Sequence, residues 1–135
     1  MSPVRFESND AWVLWCVLPQ GCDLEDLIRA YTFVARTAIP SYDNLAGCLS
    51  RAVRAGLMRV PENGRYRLTQ DWHVRLHRLD EAYGAAEHGL IEFEDEFLAR
   101  EWPAVDGVNF VLPPAEYQQA ADGVRQYHAK VFGGR

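Results

Sequence analysis

The sequence predicts a mainly α chain that carries one small β-hairpin and ends in further helices, α+β by class. Three observations lead there. Apolar residues recur at helical spacing over three consecutive stretches of the first 54 residues. Asn63-Gly64 then stands between two short runs, Leu57 to Val60 and Arg65 to Leu68, and this pair is the strongest short hairpin signal because both residues tolerate positive φ. Beyond it, Trp72, Leu76, Leu79, Tyr83, Ala86, Leu90, Phe93 and Phe97 are spaced 4, 3, 4, 3, 4, 3, 4, a heptad seam.

Each element has its own warrant. Ser8 or Asn9 caps a first helix in which Ala11, Trp12, Leu14, Trp15, Val17 and Leu18 are apolar on most sides, which places it in the core. Pro19 ends it and Gly21 sits in the turn. Asp23 caps a second helix whose stripe is Leu24, Leu27, Ile28, Tyr31 and Val34, and Asp26 in its first turn suits the helix dipole. Ser41 caps a third, with Tyr42, Leu45, Leu49, Ala52 and Val53 inward and Asp43, Asn44, Gly47, Ser50, Arg51 and Arg54 outward. Gly56 stops it, since glycine takes the left-handed conformation without a Cβ penalty. In the second hairpin arm, Tyr66 and Leu68 point inward while Arg65 and Arg67 point outward. The heptad segment would be about 40 Å long as one helix, although Gly84 and Gly89 favour a bend. Val105 to Leu112 reads as loop or short strand. Pro113-Pro114 opens a last helix with the stripe Tyr117, Ala120, Ala121, Val124, Tyr127 and Val131.

The pattern LAGCLSRAVRAGLMRVPENGRYRLT, an amphipathic helix running through "AGL" into a hairpin that ends "LT", resembles the winged helix-turn-helix domains of bacterial regulators, broadly of the MarR and PadR kind. The resemblance covers about Asn9 to Thr69. It implies a winged helix over residues 1–70, a β-wing at 57–68, and a C-terminal helical extension over 71–135. It also implies a transcriptional regulator whose third helix enters the major groove of double-stranded DNA. By position, Asn44, Gly47 and Arg51 would face base edges, and Arg54, Arg59, Arg65 and Arg67 would contact phosphates. Asp43 opposes this, because it repels phosphate. The link from Arg36 to Pro40 is longer than a strict helix-turn-helix turn.

Composition bounds the alternatives. With 135 residues, 48% of them hydrophobic, there is material for one core. No run of about 18 apolar residues is present and the start lacks a signal-peptide stretch, so no membrane is expected and the cytoplasm is the expected compartment. The net charge of −5 is unevenly placed. Residues 41–78 hold seven arginines against three acids, whereas 81–135 hold four basic residues against ten acids. Cys16, Cys22 and Cys48 lack CxxC spacing and read as small packed side chains. His73 and His77, with Glu81 beyond, share a helix face, but Val74, Arg75 and Leu76 between them exclude HExxH chemistry, and no metal or other cofactor is expected. The EFEDE run at 92–96 reads as a solvated acidic face rather than a cation loop. No nucleophile elbow, phosphate loop or dinucleotide fingerprint occurs, and the expectation is a protein that is not an enzyme. Two functions stay open: a DNA-binding regulator dimerising through 72–97, and a module of the same shape that holds another protein.

Overall fold

In the computed structural model the described residues are 3–17, 20–70, 72, 74, 78, 91–92, 94–95, 98–99 and 101–132. Four helices are bounded among them: α1 (Ser8–Trp15), α2 (Leu24–Ala35), α3 (Tyr42–Arg54) and α4 (Pro114–Phe132). The expected caps on α2 and α3 form. The Asp26 N–H donates to Asp23 Oδ1 at 2.8 Å, and the Asn44 N–H donates to Ser41 Oγ at 3.2 Å. The start of α1 differs. Its cap is Glu7, not Ser8 or Asn9, and the Glu7 N–H donates to Asp10 Oδ2 at 3.0 Å.

The end of α3 is a Schellman motif. The Leu57 N–H reaches back to the Ala52 carbonyl at 2.9 Å, and the Gly56 N–H to Val53 at 3.1 Å. Gly56 takes φ +76, the left-handed value its position requires. At the end of α2 the same region is filled by Arg36, at φ 51, where an L side chain is strained.

The expected β-wing is a correction. No strand or sheet forms among the described residues, so the chain does not fold as the α+β winged helix that its pattern implies. Residues 57–68 form a hairpin pinned by two isolated antiparallel bridges, Met58 with Leu68 and Glu62 with Arg65. Asn63 (φ 52) and Gly64 (φ +71) make its tight turn as expected. The arms fail to join into strands because the first is short and is followed at once by Pro61, which has no N–H for a ladder. On the outer side Tyr66 exchanges backbone hydrogen bonds with Cys22 (3.1 and 2.8 Å), which seats the hairpin on the α1–α2 link.

One core runs through the chain and is continuous across residue 70. Leu14, Leu27, Ile28, Leu45, Leu49, Leu57 and Tyr66 are fully buried together with Leu112, Ala121 and Val124 from the C-terminal part. α4 is latched by tyrosine hydroxyls. Tyr117 donates to the Pro40 carbonyl, Tyr42 to the Leu112 carbonyl (both 2.6 Å) and Tyr66 to Glu116 Oε1 at 2.8 Å. α4 lies along α2 in the same direction. Gly123 faces Glu25, and the Arg29 guanidinium sits 4.8 Å from the Tyr127 ring centre. A Cβ on Gly123 would fall 2.0 Å from Glu25 Oε1, so the close approach depends on that glycine. Tyr127 and Val131, expected inward, are instead 40% and 51% exposed.

The heptad seam lies mostly outside the described residues, and so does dimerisation through it. Its first member, Trp72, is buried against Trp102 of its own chain, ring centres 5.0 Å apart. No described helix is long and apolar enough to cross a membrane.

Two substitutions test the helix ends. Gly56→Ala forces an L residue to φ +76 and brings a methyl within 3.1 Å of Val105 Cγ2. It should cost about 1–2 kcal/mol, read as a lower urea midpoint at unchanged slope. Arg36→Gly should move the midpoint the other way, by up to about 1 kcal/mol.

Candidate nucleic-acid interface

The sequence-derived site divides into two groups of residues in the fold. The first is on α3, where Arg51 is already occupied. Its Nε and Nη2 donate to Asp10 Oδ2 and Oδ1 at 2.7 and 2.8 Å, a two-pronged pair across the α1–α3 contact. Glu7 Oε2 lies 3.8 Å from the same guanidinium. Asp10 is 1% exposed and the Arg51 side chain 21%. The hydrogen bond to Asp10 raises the Arg51 pKa, outweighing the desolvation that lowers it.

Gly47 serves this pair rather than an approaching groove. A Cβ there would stand 3.0 Å from Arg51 Nη1, so glycine leaves room for the guanidinium to cross the helix face. Breaking a buried pair on one side costs about 3–5 kcal/mol. Arg51, expected at a base edge, is held by Asp10 across the α1–α3 contact. Gly47, expected to let a groove approach closely, lies beside the same guanidinium.

The remaining α3 residues are less committed. Asn44 is exposed in the first turn, beside exposed Asp43. Arg54 is partly buried at the last turn. Its Nε is buried without a hydrogen-bond partner, and its carbonyl accepts from the Val105 N–H at 2.7 Å. That placement takes it away from open solvent, where a phosphate contact was expected.

The second group is the hairpin. Arg59, Arg65 and Arg67, all exposed, line a hollow of about 280 Å³ with Val60, Glu62 and Asn63. Alternation along the arm sends Tyr66 inward and Arg65 and Arg67 outward, as the pattern indicates. Arg65 Nη2 is oriented by the carbonyls of Gln20 (3.1 Å) and Gly21 (3.3 Å). Gly21, at φ +86, lets Arg67 lie across the same loop, because a Cβ there would fall 2.7 Å from Arg67 Cγ. Among the described residues no carboxylate lies within ion-pair distance of these three guanidiniums, although acids elsewhere hold Arg5, Arg29, Arg51 and Arg125. Three cations with free donors around one hollow can take an anion, best a phosphate, whose geometry matches the arginine fork.

The sequence reading gave Asp10 no part in the site. A signal was present: an acid three residues after Glu7, at the head of an otherwise apolar helix. Elsewhere little points to chemistry. All three cysteines are buried free thiols. Burial, with Cys22 adding to it, pushes the Cys16 thiol up to about 12, and burial likewise raises Cys48 well above the usual range. Protonated thiols are poor nucleophiles. Glu94 of the acidic run is partly buried and accepts from Trp12 Nε1 at 2.6 Å. Among the described residues no three His, Cys, Asp or Glu side chains gather to hold a metal, and His73, His77 and Glu81 lie outside them.

Arg51→Ala should destabilise the fold by about 3 kcal/mol or more, and Asp10→Leu combined with Arg51→Met should recover most of that loss in urea titrations. The Cys16 thiol gives a pH test. Its pKa is raised in the folded state from 9.0 to about 12, so the stability it contributes is complete below about pH 9 and disappears as pH rises to about 12. Melting curves between those limits should show the decline, and Cys16→Ala should flatten part of it. Comparison with family models, with curated proteins and with solved structures finds no match to this chain.

Proposed function

We propose that this chain is a non-catalytic DNA-binding protein that acts in transcriptional regulation in the cytoplasm. Its hairpin arginines would hold the phosphate backbone of the duplex. The observation that carries this reading is the hollow lined by Arg59, Arg65 and Arg67, three exposed arginines without a carboxylate partner among the described residues. On a chain of net charge −5, carboxylates are plentiful, and other arginines have found them. A group of three left free on one hairpin fits an anion supplied from outside. Asn63 adds amide donors at the turn, and Glu62 limits the net charge of the hollow to about that of two arginines.

Phosphate contacts release counterions, so binding should weaken steeply with salt, by about 0.9 in logarithmic slope per contact. The test is a fluorescence-anisotropy titration of the whole chain with duplex DNA at several salt concentrations. Each of Arg59→Ala, Arg65→Ala and Arg67→Ala should reduce affinity and lower the slope by about one. These arginines are exposed, so the variants should keep the parent's melting temperature. Undiminished binding in the triple variant, or no binding at low salt, would overturn the proposal.

A further inference from the structure

Resting on that reading, we infer that the protein takes duplex DNA by its backbone alone, without reading base sequence through α3. Base readout needs a long, free donor or acceptor near the middle of an exposed helix. On α3 that position belongs to Arg51, whose guanidinium is turned to Asp10 through Nε and Nη2 at 2.7 and 2.8 Å. Releasing it would strand a carboxylate that is 1% exposed, so the pair outlasts an encounter with a base. Gly47 lies beneath the same guanidinium. Ala46, Ser50 and Arg54 are partly buried, and Val105 closes on the last turn of α3 through its bond to the Arg54 carbonyl.

What α3 leaves open is its first turn, Asp43 and Asn44. Asn44 can pair with adenine, but the neighbouring Asp43 carboxylate repels the phosphates that would have to flank that base. The cations gathered around one hollow are instead on the hairpin, and arginine forks on phosphates carry no sequence information. Even Arg65 is aimed by backbone carbonyls of Gln20 and Gly21, which fixes its direction whatever the base. The ligand class is therefore double-stranded DNA of any sequence.

The deciding experiment has two arms on the whole chain. One measures affinity for alternating A·T, alternating G·C and mixed duplexes of equal length at about 50 and 150 mM salt. The other selects binders from a randomised duplex pool over several rounds. The expected result is affinities within about three-fold of one another, when one specified base pair is worth about ten-fold. Equal salt slopes and a selected pool without a motif complete that expectation. Asn44→Ala should leave every affinity unchanged, and Arg59→Ala with Arg67→Ala should lower all of them alike. A selected motif, or a preference of ten-fold or more that Asn44→Ala removes, would overturn this inference while leaving DNA binding intact. No binding to any duplex would overturn the DNA-binding reading and this inference with it.

Discussion

The pair between Asp10 and Arg51 is the constraint on which the rest of the architecture depends. Asp10 closes the N-terminus of α1 by accepting from the Glu7 N–H, holds the Arg51 fork with both oxygens, and accepts from the Cys48 thiol through its carbonyl at 3.8 Å. Apolar packing between α1 and α3 would allow the helices to roll against each other. A buried two-pronged ion pair does not, because its hydrogen bonds are satisfied at one angle only. Fixing the roll of α3 fixes where its Schellman end points and hence where the hairpin starts. Gly47 is part of the same arrangement, since a Cβ there would stand 3.0 Å from Arg51 Nη1 and press on the guanidinium.

The division of arginines follows from this. Those beside acids become structural: Arg51 inside, and Arg5, Arg29 and Arg125 in surface pairs that contribute little. Those on the hairpin have no acid within reach among the described residues, and the α1–α2 link holds the hairpin from behind through Cys22 and Tyr66. A rigid, cationic turn is thus displayed on a chain that is acidic overall. The cationic hairpin and the outer face of α3 are thereby separated.

What was legible in the sequence was what is decided locally. The Asp23 and Ser41 caps, the Gly56 stop, the Asn63-Gly64 turn and Pro114 at the start of α4 each depend on a few neighbouring residues, and each forms. What misled were features decided by distant parts of the chain. Arg51 looked outward from α3 because the helix pattern cannot see Asp10, 41 residues earlier. Two short arms around a good turn looked like strands, but pairing needs every second N–H to face the partner, and Pro61 removes one of these. Tyr127 and Val131 continue the stripe of α4, yet they stand 40% and 51% exposed, because burial depends on what packs opposite a stripe and not on the stripe itself. For the site, the hairpin arginines were legible by alternation, and their freedom from acids was not.

The segment before α1 pairs with the far part of the chain. Val4 and Trp102 exchange backbone hydrogen bonds at 2.7 and 2.8 Å, and Phe6 meets the Trp102 ring edge-on at 5.9 Å. During synthesis the first residues therefore leave the ribosome long before their partners exist. At about 5–20 residues per second the wait lasts roughly 5 to 20 s. Throughout it α1, apolar on most sides, has only α2 and α3 to shield it. A nascent chain of this topology should engage holding chaperones early and be released only after the loop bearing Trp102 has emerged.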